Sequence, residues 1–173
     1  MHETENDGWD QFTFSSRNAS QMASEAERLG IQLIQSGQMD EAIRVLSKAV
    51  ELCPVSAATH NNLGYALSAI GRLEQSASHY LRASELAPWN ANFLYNLGGV
   101  RFKLGDLAGA EQAFRKAIEA SADYGEAIFN LGVTLECQGR LADAISCFRR
   151  AAQLMPNDPD TLGRLKAALS REQ

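Results

Sequence analysis

Apolar residues in this chain fall at helical spacing, and the spacing itself recurs. In "HNNLGYALSAIG", Leu63, Ala66, Leu67 and Ile70 stand at i, i+3, i+4 and i+7, one face of a helix. "LYNLGGVRFKLG" and "IFNLGVTLECQG" return to the same pattern at steps of 34 residues. On that step, segments 23–56, 57–90, 91–124 and 125–158 align without insertion or deletion. Leu29, Leu63, Leu97 and Leu131 share a column, followed by Gly30, Gly64, Gly98 and Gly132. Gly37, Gly71, Gly105 and Gly139 form a second glycine column. Two further columns are small: Ala42, Ser76, Ala110 and Ala144, then Ala49, Ala83, Ala117 and Ala151. Between them Leu46, Tyr80, Phe114 and Phe148 are large.

Each column predicts a piece of structure. The first dozen residues of a segment form one helix, and the second glycine column ends it, because glycine takes the left-handed C-cap conformation without a Cβ clash. The helical period then resumes, as in "RLEQSASHYLRASEL". Acids such as Asp40, Glu74 and Asp143 gather near the start of this second helix, and Lys48, Arg82, Lys116 and Arg150 toward its end, both suited to the helix dipole. Pro54, Pro88 and Pro156 close three of the units, since the residue before proline disfavours helix. The first glycine column sits inside a helix, at a cost of ~1 kcal/mol each against alanine. Close approach of the paired helix is the compensating gain, with Gly64 facing the Ser76 and Ala83 columns and the large residues filling the space beside them.

This pattern resembles the tetratricopeptide repeat family: a 34-residue period, a Leu-Gly pair, two small residues on the second helix and a late proline. The resemblance implies an all-α fold, a right-handed superhelical solenoid of four antiparallel helix pairs whose first helices line a concave groove. The tail "DPDTLGRLKAALSREQ" is expected to form a capping helix over 159–173, with Asp158 as N-cap and Pro159 at the first helical position. Leu162, Leu165 and Leu169 should cover the last repeat. Residues 1–22 match no repeat and are expected to be a disordered acidic arm. Its Trp9, Phe12 and Phe14 leave open a partner-binding or groove-covering role.

Packing accounts for the glycines and leaves Asn62, Asn96 and Asn130 to be explained. Asparagine is a mediocre helix former. Each precedes the buried leucine by one residue, so it points about a hundred degrees away, toward the groove. Arg28 and Arg164 occupy the same column at the two ends. A row of carboxamides donates and accepts hydrogen bonds and matches the backbone of an extended peptide whatever its sequence. Tetratricopeptide proteins that bind extended peptides use asparagines here, so the resemblance implies the same role. The alternative is that these asparagines bridge adjacent repeats. Asn61, Tyr65, Asn92, Tyr95 and Phe129 are expected to line the same groove, with partial burial between repeats as the alternative for Tyr95 and Phe129. Arg101 interrupts a column of Leu33, Leu67 and Leu135, its stem covering apolar surface or its head meeting an acid of a neighbouring repeat.

Composition narrows the function. The chain has 173 residues, 45% hydrophobic and 21% charged, with net charge -5, which argues against nucleic acid as partner. No apolar run approaches the ~18 residues of a membrane span, and the acidic start is not a secretory signal. Cys53, Cys137 and Cys147 form no disulfide framework and no metal-ligand spacing, as expected of reduced thiols in the cytoplasm. His2, His60 and His79 are scattered, and no catalytic, metal or cofactor site is expected. The lysines and arginines with which chaperone adaptors of the family clamp a C-terminal carboxylate are missing, their places held by Glu27, Asn61, Asn92 and Asn96 or, one repeat on, by Tyr95 and Glu126. The expected function is a non-enzymatic adaptor or scaffold that binds a protein or peptide. The alternative is a small cytoplasmic chaperone holding an apolar segment of a partner. A monomer is the favoured state unless 159–173 fails to cap.

Overall fold

The structure, a computed structural model, describes residues 19–172. Among them it consists of helices and turns: α1 (Ala19–Gln35), α2 (Met39–Leu52), α3 (Ala57–Ala69), α4 (Leu73–Leu86), α5 (Ala91–Lys103), α6 (Leu107–Ala120), α7 (Gly125–Cys137), α8 (Leu141–Leu154) and α9 (Pro159–Glu172). Each helix packs on its neighbours in sequence, and the first helices α1, α3, α5 and α7 also touch in succession. The result is an α-solenoid in which first and second helices form separate layers. Trp9, Phe12 and Phe14 lie outside the described residues. Residues 19–22, placed in the arm by the sequence, instead form the first turn of α1.

Turn chemistry follows from the glycines and caps. Gly37, Gly71, Gly105 and Gly139 all have φ between +78° and +80°. In each turn the residue after the glycine donates its N–H to the carbonyl five residues earlier at 2.9 Å, satisfying an orphan carbonyl of the first helix. The next repeat starts at a side-chain cap in two places: Ser56 accepts from the Thr59 N–H, and Asn90 from the N–H groups of Asn92 and Phe93. The Asp158 carboxylate accepts from the Thr161 N–H at 2.8 Å and starts α9. Thr161, through its side chain first and then through this backbone bond, holds the Asp158 pKa below the usual value.

The interior glycines have a different neighbour from the one the columns suggested. A Cβ on Gly98 would lie 2.6 Å from the Phe114 ring, and one on Gly64 2.9 Å from the Tyr80 ring. Gly30 and Gly132 face Leu46 and Phe148 in the same way. The large column therefore sits directly on the glycine, and the small residues let the backbones close up beside it. Ser76, fully buried, donates its hydroxyl to the Gly64 carbonyl at 2.7 Å. Phe114 and Phe148 are the largest fully buried side chains, each in the middle of its helix pair.

Two other expectations change. Leu162 is 44% exposed, and Thr161 and Ala168 are the residues of α9 that are fully buried, with Leu165 and Leu169 half-buried against the α7–α8 core. In the 34-residue register Leu162 corresponds to His60, Leu94 and Ile128, which their second helices cover; among the described residues no helix covers α9 on that side. Arg101 neither reaches water freely nor meets another repeat. Its guanidinium donates to the Gly109 carbonyl at 3.3 Å and lies 3.8 Å from Asp106, both in its own repeat. On the second helices Lys48–Glu51 and Arg82–Glu85 form ion pairs at 2.8 and 3.1 Å, while Arg150 donates to the Ala122 carbonyl.

Candidate functional site

The layer of first helices carries a cleft of about 350 Å³. Tyr95, Gly99, Phe102 and Lys103 line it from α5, at the i, i+4, i+7, i+8 spacing of one helix face. Tyr65 and Ser68 enter from α3, and Asn130 and Val133 from α7. The rings of Tyr80 and Phe114 reach it from below. Tyr65 is 49% exposed, whereas Tyr95 is held by rings of Phe114 and Tyr124, with centroids 5.9 and 5.1 Å away.

The asparagines connect repeats. Asn96 donates a side-chain N–H to Asn61 Oδ1 at 2.9 Å, and Asn130 donates to the Tyr95 hydroxyl at 3.1 Å. Both bonds run from the asparagine column to the residue one column earlier in the preceding repeat. Tyr124 donates to Asn92 Oδ1 at 2.8 Å. Burial first, then Tyr95 and Glu126, pushes the Tyr124 pKa up to about 12, so its hydroxyl keeps its proton and remains a donor. At the first junction the pattern changes: Thr59 donates to Glu27, and Asn62 has no hydrogen bond to any described residue. At the last junction Arg164 donates to Glu136 at 3.0 Å, and Arg171 pairs with the same carboxylate.

Of the residues singled out by sequence, Tyr65, Tyr95, Asn96 and Asn130 line the cleft. Asn61 and Asn92 stand behind it as hydrogen-bond partners, and Asn62 flanks it on α3. Phe129 is half-buried, packed on the core with its ring 5.7 Å from that of Phe148. Arg164 is held by its ion pair. Gly99 was missed as part of this surface. Its signal was visible in the alignment, where Ile31, Tyr65 and Val133 fill the column that Gly99 leaves empty.

A titratable pair lies elsewhere, between α3 and α4. His60 Nδ1 is 3.0 Å from His79 Nδ1, and His60 Nε2 is 3.2 Å from the Pro54 carbonyl. A carbonyl only accepts, so His60 carries its proton on Nε2 and its bare Nδ1 accepts from His79 Nδ1–H. Burial lowers both pKa values, with Arg82 adding to the effect on His60 and His60 adding to that on His79. Among the described residues no cluster of three or more His, Cys, Asp or Glu is placed to hold a metal ion, and no helix is long and apolar enough to cross a membrane.

Helix pairs of fixed length, stacked so that first helices share one polar and aromatic face, define a class: α-solenoid repeat proteins with a groove. Comparison with known proteins makes the class specific. Family models described as tetratricopeptide repeat match residues 89–157 and 57–88, and a further TPR repeat model matches 30–71. The chain belongs to the tetratricopeptide repeat family. Among solved structures it is similar to MamA, at 21% identity and a TM-score of 0.82, covering 86% of this chain and 81% of that one. It is also similar to pilF of Pseudomonas aeruginosa, at 24% identity and a TM-score of 0.78, covering 90% and 71%. YrrB, described as a TPR protein with an unusual peptide-binding site, aligns at 21% identity and a TM-score of 0.75, covering 85% and 76%. At these identities the likeness is one of fold. No curated protein matches the chain in sequence.

Proposed function

We propose that this chain is a protein–protein interaction module that holds an extended peptide or protein segment in its groove. The observation that carries this reading is the hydrogen-bonding capacity left over on Asn62, Asn96 and Asn130. Asn96 and Asn130 each commit one N–H to the preceding repeat and keep the other N–H and the carbonyl oxygen. The bridging bonds orient the carboxamides rather than exhaust them, so the two readings of the column are compatible. Helices packed ~8–10 Å apart place successive carboxamides roughly three extended residues apart at ~3.3 Å per residue. The backbone of an extended segment offers an N–H and a C=O at each such step. The fold shared with YrrB, itself described as having a peptide-binding site, is consistent with this use of the surface.

The module is an adaptor or scaffold without catalysis, acting in the cytoplasm as a monomer. The apolar floor of the cleft favours a second reading, a small chaperone for an apolar segment. Co-expression separates them: a chaperone's partner is insoluble alone, an adaptor's partner is not. The direct test is selection of peptides from a random display library on the full chain. Selected peptides should bind the Asn62→Ala, Asn96→Ala, Asn130→Ala triple variant at least about tenfold more weakly, since each unpaired amide costs ~1–3 kcal/mol. Equal binding to the triple variant contradicts the proposal.

A further inference from the structure

Gly99 leaves a hole in the groove. The other repeats place Ile31, Tyr65 and Val133 at this register, and a Cβ added at Gly99 meets nothing within 4 Å among the described residues. One residue earlier, at Gly98, the Phe114 ring leaves no room for a Cβ. Packing therefore requires glycine at 98 and does not require it at 99, where it weakens the helix relative to alanine. What it creates is open volume. The cleft of about 350 Å³ is within the range of ~300–1,000 Å³ typical of ligand pockets. Its ends are Tyr65 and Val133, the side chains of the same register in the flanking repeats. Its walls are Tyr95 and Phe102, and aromatic walls offer ring edges and faces to an entering ring. Lys103 lines the same cleft, is exposed, and has no ion pair or hydrogen bond among the described residues.

We propose that the hole above Gly99 is a side-chain pocket of the groove, and that its occupant is a partner segment carrying one aromatic residue with a carboxylate next to it. The aromatic side chain enters between Tyr65 and Val133. The carboxylate meets Lys103, a cation that no group among the described residues engages. Asn96 and Asn130, both lining the cleft, hold the segment's backbone on either side of the anchored residue. This rests on the groove being a peptide site, and adds which residue chemistry the site selects.

The test uses the full chain and a panel of acetylated, amidated nine-residue Ser/Ala peptides. Their central residue is Trp, Phe, Leu or Ala, and the residue beside it is Asp, Ser or Lys. Binding is followed by backbone amide shifts of the labelled protein. Trp or Phe beside Asp should bind about tenfold or more tightly than Ala beside Asp, the ratio expected for burying a large apolar side chain. Gly99→Leu fills the hole, should melt no lower than the parent, and should abolish that ratio. Lys103→Glu should reverse the preference for Asp over Lys. If Gly99→Leu keeps the aromatic preference, the pocket is wrong. Binding that depends on Asn96 but is indifferent to the central residue overturns the pocket and leaves the groove reading standing. No binding by any peptide overturns both. Affinity that rises in the Trp9→Ala variant assigns the hole to the chain's own residues 7–10 and overturns a separate partner as its occupant.

Discussion

Two adjacent glycines of α5 should respond to the same substitution with opposite sign. In Gly98→Ala the new Cβ lies 2.6 Å from Phe114 Cε1 and 2.7 Å from Cδ1. Phe114 is 1% exposed and packed within its helix pair, so its ring has to shift to admit the new atom. Overpacking of this kind costs ~1–3 kcal/mol. Alanine returns ~1 kcal/mol of helix propensity, leaving a net destabilisation of up to about 2 kcal/mol. In Gly99→Ala the propensity gain is the same and no described residue lies within 4 Å of the new atom, so this variant gains ~1 kcal/mol. Propensity cancels in the difference between the two, which isolates the packing cost at ~1–3 kcal/mol. For a chain of this size each kcal/mol moves the melting temperature by ~2–4 °C, so the variants should separate by roughly 2–12 °C. Thermal melts and urea titrations of both proteins measure this. Equal stability of Gly98→Ala and Gly99→Ala would refute the claim that the Leu-Gly column exists to seat the large residue of the second helix.

Other outcomes follow from the same contacts. Asn62→Ala breaks no hydrogen bond among the described residues and should leave stability unchanged or slightly raised, whereas Asn96→Ala loses an inter-repeat bond worth ~0.5–1.5 kcal/mol, partly offset by propensity; urea midpoints distinguish them. His60 and His79 have pKa values below 6.5 in the fold, so the unfolded chain binds more protons as the solution is acidified. Their contribution to stability is complete above about pH 6.5 and is lost as pH falls through the lowered values; a His79→Gln variant should show a shallower fall of urea midpoint with acidification than the parent. Deleting 159–173 uncovers the face of the α7–α8 core that Leu165, Ala168 and Leu169 touch, and the truncated chain should self-associate in size-exclusion chromatography where the parent does not.

Much of the fold was legible because the repeat states each role several times. One glycine between helices is ambiguous; four at one register, each with φ near +80° in the structure, are a C-cap. Columns carry register but no distances, and this is where the reading fell short. Gly98 was matched to the small residues across the pair, although the Phe114 ring is what fills its space. His60 and His79 belong to the two helices of one pair, nineteen residues apart, and nothing in their spacing shows that the rings meet. Leu162 fits the apolar period of α9 yet is exposed, because burial at that register depends on a covering second helix. In the groove, the direction of the asparagines followed from their place beside a buried leucine. Their partners did not, since Asn61–Asn96 and Tyr95–Asn130 are contacts between repeats whose geometry is set by stacking.

The central claim is that carboxamides on the first helices hold the backbone of an extended segment. Side-chain amide resonances report on it directly. With a display-selected peptide bound to the full chain, the Nδ2 protons of Asn62, Asn96 and Asn130 should shift and gain protection from exchange, together with amides of α3, α5 and α7. Shifts confined to the second helices α4, α6 and α8, with the three carboxamides unmoved at saturation, would contradict the account.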